Sequence, residues 1–125
     1  MAAQTFQSNR VQDGPTFLFV FSPSRQDHLY QIQMETLAER QRTLEGHNVV
    51  IAEVFEHEPG HVGSDELHPE NSHELRRDYN ILPGQFKVVL VGKDSNIKLR
   101  AESCVSCEEV IMRVENEPIK MESAF

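Results

Sequence analysis

The run Phe17-Leu18-Phe19-Val20-Phe21, broken at once by Ser22-Pro23, is the strongest constraint in this chain. Apolar residues without alternation demand cover on both faces, as in the interior strands of a parallel sheet. Two further runs of this kind follow, Val49-Val50-Ile51-Ala52-Glu53-Val54-Phe55 and Phe86-Lys87-Val88-Val89-Leu90-Val91. Between the first two, Ser24 to Glu45 consists mostly of good helix formers with no internal Pro or Gly. Tyr30, Met34, Leu37 and Leu44 fall along one helical face. Ser22 is placed to cap this helix, Pro23 to occupy its first turn and Gly46 to close it. A strand, a helix and a strand in that order predict a right-handed parallel unit.

The stretch from Glu56 to Asn71 is polar, acidic and interrupted by Pro59, Gly60, Gly63 and Pro69, which predicts a long loop. Ser72 to Tyr79 reads as a short helix. Gly92-Lys93-Asp94-Ser95-Asn96 turns the chain into the alternating strand Ile97-Lys98-Leu99-Arg100, which makes a hairpin with the third apolar run. Ser106 with Glu109 forms a capping-box pattern. It opens a last helix through Val110, Ile111 and Val114, closed by Pro118. The order strand-helix-strand-helix-strand-strand-helix predicts an α/β fold, a central four-stranded mixed sheet with helices on both faces. Residues 1–15 read as a flexible arm, 16–121 as the domain and 122–125 as a tail.

A chain of 125 residues with 38% hydrophobic side chains is long enough to bury one core. Its net charge of −8 repels phosphate backbones and argues against nucleic-acid binding. No apolar run approaches the roughly 20 residues needed to span a bilayer, so membrane insertion is not expected. The N-terminal residues lack the basic and apolar regions of a signal peptide. Cys104 and Cys107 lie too close in sequence to staple distant segments together.

This element order is the minimal thioredoxin-like arrangement. The segment Tyr79-Asn80-Ile81 followed by Phe86 to Lys98, with its turn Val91-Gly92-Lys93-Asp94-Ser95-Asn96-Ile97-Lys98, resembles the P-DUDES group. That group comprises thioredoxin-like domains of unknown function in bacterial proteins, equarin-type matrix proteins and sushi-repeat proteins. Phe19 to Ser24 resembles the group's first strand and turn, and Pro118-Ile119-Lys120-Met121 its ending. The resemblance implies the fold, a secreted or periplasmic setting and no settled enzymatic activity. Where thioredoxins carry their reactive cysteine pair, this chain has Ser22, Pro23, Ser24 and Arg25. Pro83-Gly84 reads as a turn rather than as the proline that thioredoxins place before the third strand.

The first expectation is therefore a redox-silent binding or interaction module. It needs no cofactor, takes an unidentified protein partner, and is a monomer or weak homo-oligomer. Ser22, Ser24 and Arg25 are its candidate anion-binding residues, since backbone N–H groups at a helix start attract anions. The alternative is a thiol oxidoreductase or redox sensor using Cys104-Val105-Ser106-Cys107, a C-x-x-C motif at the start of the last helix. The helix dipole favours a thiolate there, while Glu102, Glu108 and Glu109 oppose it. The two effects nearly cancel, so a thiol pKa close to the ordinary value of about 8.5 is expected. A further alternative is metal binding by His57, His61, His68 and His73 among the carboxylates of the acidic loop. Ser22 as a nucleophile lacks a fixed base; His28 is the nearest in sequence.

Overall fold

Three apolar runs become adjacent strands of one sheet, paired edge to edge, and helices cover both of its faces. The computed structural model describes residues 14–115. Strand β1 (Thr16–Ser22) runs parallel to β2 (Val49–Phe55), with Thr16 opposite Val49 and Ser22 opposite Phe55. On its other side β1 pairs antiparallel with β5 (Lys87–Val91), and β5 pairs with β6 (Ile97–Ala101). Helices α1 (His28–Glu39) and α2 (Gln41–Gly46) link β1 to β2. Helix α3 (Pro69–Asp78) precedes β5, and α4 (Cys107–Glu115) follows β6.

The mixed sheet has six strands, not the four expected. The acidic stretch contributes two short strands, β3 (Gly60–Val62) and β4 (Asp65–Leu67), giving the order β4-β3-β2-β1-β5-β6. Gly60 permits the extension, because a Cβ there would lie 1.9 Å from the Glu53 carbonyl oxygen. Only a glycine lets β3 approach β2 so closely.

Two cores sandwich the sheet. One joins Leu18, Val20, Val88 and Leu90 to Tyr30, Leu37 and Leu44 of α1 and α2 and to Val110 of α4. The other joins Phe19, Phe21, Val54 and Val89 to Leu75 and Tyr79 around α3. Tyr30, Leu37 and Leu44 are buried and Met34 partly so, as their helical spacing predicts.

The helical stretch departs from expectation at both ends and in the middle. It begins at His28, capped by Asp27, whose carboxylate accepts from the Tyr30 N–H at 3.2 Å. Ser22 and Pro23 lie outside the helix altogether. The stretch breaks at Arg40 into α1 and α2. The left-handed residue that turns the chain into β2 is Asn48, with φ of 61°, rather than Gly46. Asparagine tolerates that region through local hydrogen bonding.

The Gly92–Asn96 turn forms as expected: the Gly92 N–H bonds the Asn96 carbonyl at 2.9 Å, and Asp94 Oδ1 accepts from the Asn96 N–H at 3.1 Å. Gly84, with φ of 82°, turns the chain after Pro83. The arm at 1–13, the closing role of Pro118, the ending Pro118 to Met121 and the tail at 122–125 lie outside the described residues.

Candidate functional site

Strand β6 runs in the same direction as β1, so the chain leaves both at one end of the sheet. Two polar regions meet there, one on each flank of α1.

The first is the turn after β1. Ser22 is fully buried and its hydroxyl donates to the Ser24 carbonyl at 2.9 Å. The Ser24 hydroxyl accepts from the Gln26 N–H at 3.2 Å. Arg25 is engaged on every side. Its backbone N–H and its Nε reach the two oxygens of Glu58 at 3.0 and 3.1 Å, Nη2 donates to the Pro59 carbonyl at 2.7 Å, and the guanidinium lies 4.7 Å from the centre of the Phe55 ring. The sequence places these three residues together, and the structure does so too. It also spends the positive charge of Arg25 on Glu58 and sets the Asp27 carboxylate at the helix start.

The second region is the C-x-x-C segment. From Glu102 to Ser106 the backbone has no regular structure, and Cys107 is the first residue of α4. The Ser106 hydroxyl accepts from the Glu109 N–H at 3.1 Å, so Ser106 caps this helix. Only that half of the capping box forms, since the Glu109 carboxylate pairs with Arg113 at 3.1 Å. Both cysteines are free thiols. Cys104 Sγ donates to the Leu29 carbonyl at 3.3 Å, and Cys107 Sγ to the Thr36 carbonyl at 3.5 Å. These carbonyls lie two turns apart on α1, roughly 10 Å along its axis. The thiols therefore face one helix without bonding to each other.

Gln33, midway between those anchors and fully buried, locks the segment in place. Its Nε2 donates to the Val105 carbonyl at 3.0 Å and its Oε1 accepts from the Val105 N–H at 2.8 Å. Gln33 was not legible as a site residue. In sequence it is one more polar helix former.

The expectation of ordinary thiol acidity does not hold. Burial pushes the Cys104 thiol up, and the Asp27 carboxylate adds to this. Burial also pushes the Cys107 thiol up; Glu108 and Glu39 add to it and Arg40 opposes. Of the three glutamates near the motif, Glu108 acts on Cys107. Asp27 and Glu39 come from the ends of α1 and are invisible to local sequence reading.

The histidines are divided. His57 and His73 approach ring to ring at 6.4 Å, with His73 Nε2 at 2.9 Å from the Glu56 carbonyl. His61 lies in β3 opposite Glu66, and His68 precedes α3. Among the described residues no three His, Cys, Asp or Glu side chains form a group that could hold a metal ion. Nor is any described helix long and apolar enough to cross a membrane.

The chain is similar to solved structures of peroxiredoxins. With the reduced 2-Cys peroxiredoxin of Plasmodium vivax it shares 13% identity and a TM-score of 0.60, over 89% of this chain and 80% of that one. With thioredoxin peroxidase I of Plasmodium yoelii the identity is 13% and the TM-score 0.61, over 94% and 79%. With AhpC of Mycobacterium tuberculosis the identity is 11% and the TM-score 0.60, over 87% and 71%. At such identities the likeness establishes the thioredoxin-like fold. No curated protein matches the sequence. The expectation of a redox-silent, non-catalytic interaction module is corrected by these structures. Proteins named for peroxide chemistry are built on this frame, and two free thiols lie on it here. The family model of the domain of unknown function DUF4174 matches residues 15–122, and the chain belongs to that family.

Proposed function

We propose that this protein is a slow dithiol redox protein, an oxidoreductase or sensor in which Cys104 and Cys107 pass between two thiols and one disulfide. The observation that carries the reading is the pair itself. Two free thiols three residues apart flank the start of α4, and one of them lies on a segment without regular structure. The peroxiredoxin-like frame supports it, and a hydroperoxide is the matching oxidant.

Cys104 is the half-exposed thiol and Cys107 is only 2% exposed, so Cys104 meets the oxidant first. Its thiolate attacks the peroxide O–O bond, forming a sulfenic acid and releasing an alcohol after protonation. The Cys107 thiolate then attacks the Cys104 sulfur. A disulfide forms and hydroxide leaves as water. Two thiols lose two electrons and two protons, and the peroxide is reduced to alcohol and water. Closure requires residues 104–106 to wind towards α4, since a disulfide needs Cα atoms roughly 4.4–6.8 Å apart. Raised thiol pKa values lower the thiolate fraction, which makes the reaction slow and suits a sensor better than a fast scavenger. Intact mass after exposure to cumene hydroperoxide tests this. Loss of two hydrogens in the wild type, and a stable sulfenic adduct instead in Cys107→Ser, are expected. Two thiols still open to alkylation after prolonged excess peroxide would refute it.

The finer kinship with the P-DUDES group is also our inference, supported by the Val91–Lys98 turn, where the Asp94 carboxylate organises the backbone. It brings with it a secreted or periplasmic setting, where disulfides persist. Thiol trapping in intact cells tests that setting: the pair should be blocked by disulfide there.

A further inference from the structure

A disulfide at the C-x-x-C segment and the contact with Gln33 exclude one another. In the dithiol state the two sulfurs are tied to carbonyls two turns apart on α1, Cys104 to Leu29 and Cys107 to Thr36. A disulfide brings the sulfurs to about 2 Å, so at least one tie is lost. Cys107 is the first residue of α4 and only 2% exposed, which leaves Cys104 to travel. Val105 lies between the two in sequence, and its N–H and carbonyl are both bonded to the Gln33 amide, at 2.8 and 3.0 Å. Closing the pair draws that peptide off Gln33. The glutamine is fully buried, so water does not replace what it loses. A buried amide without partners disfavours the state that contains it.

The rest of the segment offers no slack. At its entry the Lys87 ammonium stands 3.8 Å from Glu102, and at its exit Ser106 caps α4. Nor does the cross-link give much in return, since the stabilisation from a disulfide grows with the loop it closes and this loop is very short. A fold that favours its reduced form makes its disulfide a strong oxidant.

We infer that Gln33 is a positioning residue that poises the pair towards the dithiol, so that the disulfide made by peroxide is handed on to other thiols. This rests on the dithiol reading above. A partner thiolate attacks the half-exposed Cys104 sulfur and forms a mixed disulfide; the Cys107 sulfur leaves and takes up a proton. A second partner thiolate then attacks the partner's sulfur, and Cys104 leaves and is protonated. Two partner thiols become one disulfide, and the chain regains both hydrogens.

The full chain, equilibrated in glutathione buffers of graded reduced-to-oxidised ratio and read by intact mass after acid quenching, tests the inference. The equilibrium constant for the disulfide should be at least about tenfold smaller in the folded chain than in the same chain in concentrated urea, where the Gln33 contact is gone. Gln33→Leu should move the folded equilibrium about tenfold towards the disulfide, about 30 mV. The urea comparison needs no variant and decides the matter even where Gln33→Leu does not fold. Equal constants in the two states, or a folded Gln33→Leu chain with the wild-type constant, would overturn the inference. A disulfide that forms with cumene hydroperoxide yet persists in excess reduced glutathione would overturn it while leaving the dithiol reading intact. No disulfide under any oxidant would remove both.

Discussion

The turn after β1 and the segment before α4 sit at the same end of the sheet, yet α1 meets them in opposite ways. At the turn, charge meets charge: Arg25 is held by Glu58, Pro59 and Phe55, and the one buried hydroxyl, that of Ser22, is satisfied locally. At the segment, neutral groups meet backbone: two thiols and one glutamine bond to carbonyls and a peptide. The first region is a finished electrostatic knot with nothing left to react. The second is held by weak thiol donors and a single amide, and its groups change when oxidised. The position where thioredoxin-like chains keep their cysteines is closed here by an ion pair and local hydrogen bonds, and the two free thiols lie across the helix.

Gln33 tests the contrast most severely. Gln33→Leu fills similar volume but leaves the Val105 N–H and carbonyl buried without partners. At about 1–3 kcal/mol for each unsatisfied buried group, the loss should approach 3 kcal/mol in denaturant unfolding. The same variant frees the segment, so disulfide formation under peroxide should accelerate relative to wild type. A stable variant with unchanged oxidation would mean that Gln33 does not govern the thiols.

Ser106→Ala removes the cap on α4 and should cost about 1 kcal/mol. Fraying of that first turn exposes Cys107, and its alkylation should speed up several-fold while that of Cys104 changes little.

Arg25→Ala breaks the knot on the other flank. Arg25 and Glu58 are 39% and 33% exposed, so solvent weakens their pairing. The stability loss should be about 0.5–1 kcal/mol. Peroxide oxidation of the thiols should not change. A change would show that the two regions are coupled through α1.

The same contrast marks what the sequence could show. Strands β1, β2 and β5 were legible because unbroken apolar runs have few alternatives to a covered sheet. The Ser106 cap and the Gly92–Asn96 turn were legible because their chemistry is local. Strands β3 and β4 were not. Each has three residues and no apolar alternation, and each exists because Gly60 lets a backbone pair with Glu53 at the open edge of β2. The start of α1 falls later than Ser22-Pro23 suggests, because the Arg25 backbone N–H is drawn to Glu58 and Asp27 caps the helix instead. Of the candidate residues, the sequence located the two thiols but not their anchors. Leu29, Gln33 and Thr36 act through two backbone carbonyls and one amide, and no residue type advertises that role.

The last prediction concerns acidity, where the thiol segment and the Gly92–Asn96 turn differ in sign. Burial and the Asp27 carboxylate raise Cys104; burial, Glu108 and Glu39 raise Cys107 against Arg40. A thiol raised in the folded state holds its proton more tightly than in the unfolded chain. Its contribution to stability is therefore full below the ordinary thiol value of about 8.5 and is lost as pH climbs through the folded value. Asp94, in the distant hairpin turn, is held below the usual carboxylate range chiefly by the Asn96 N–H. Its contribution is present at neutral pH and lost as pH falls through that lowered value. Alkylation rates of Cys104→Ser and Cys107→Ser, followed against pH, should both inflect above about 8.5. The single-thiol variant retaining Cys104 should react faster at every pH, because its sulfur is the more exposed. The unfolding midpoint should fall as pH rises past that point in wild type, and less in Cys107→Ser. An inflection near pH 6 in either variant would mean that the start of α4 activates its thiol after all. The segment would then be a nucleophile poised for fast peroxide chemistry, and the slow-sensor reading would give way to a catalytic one.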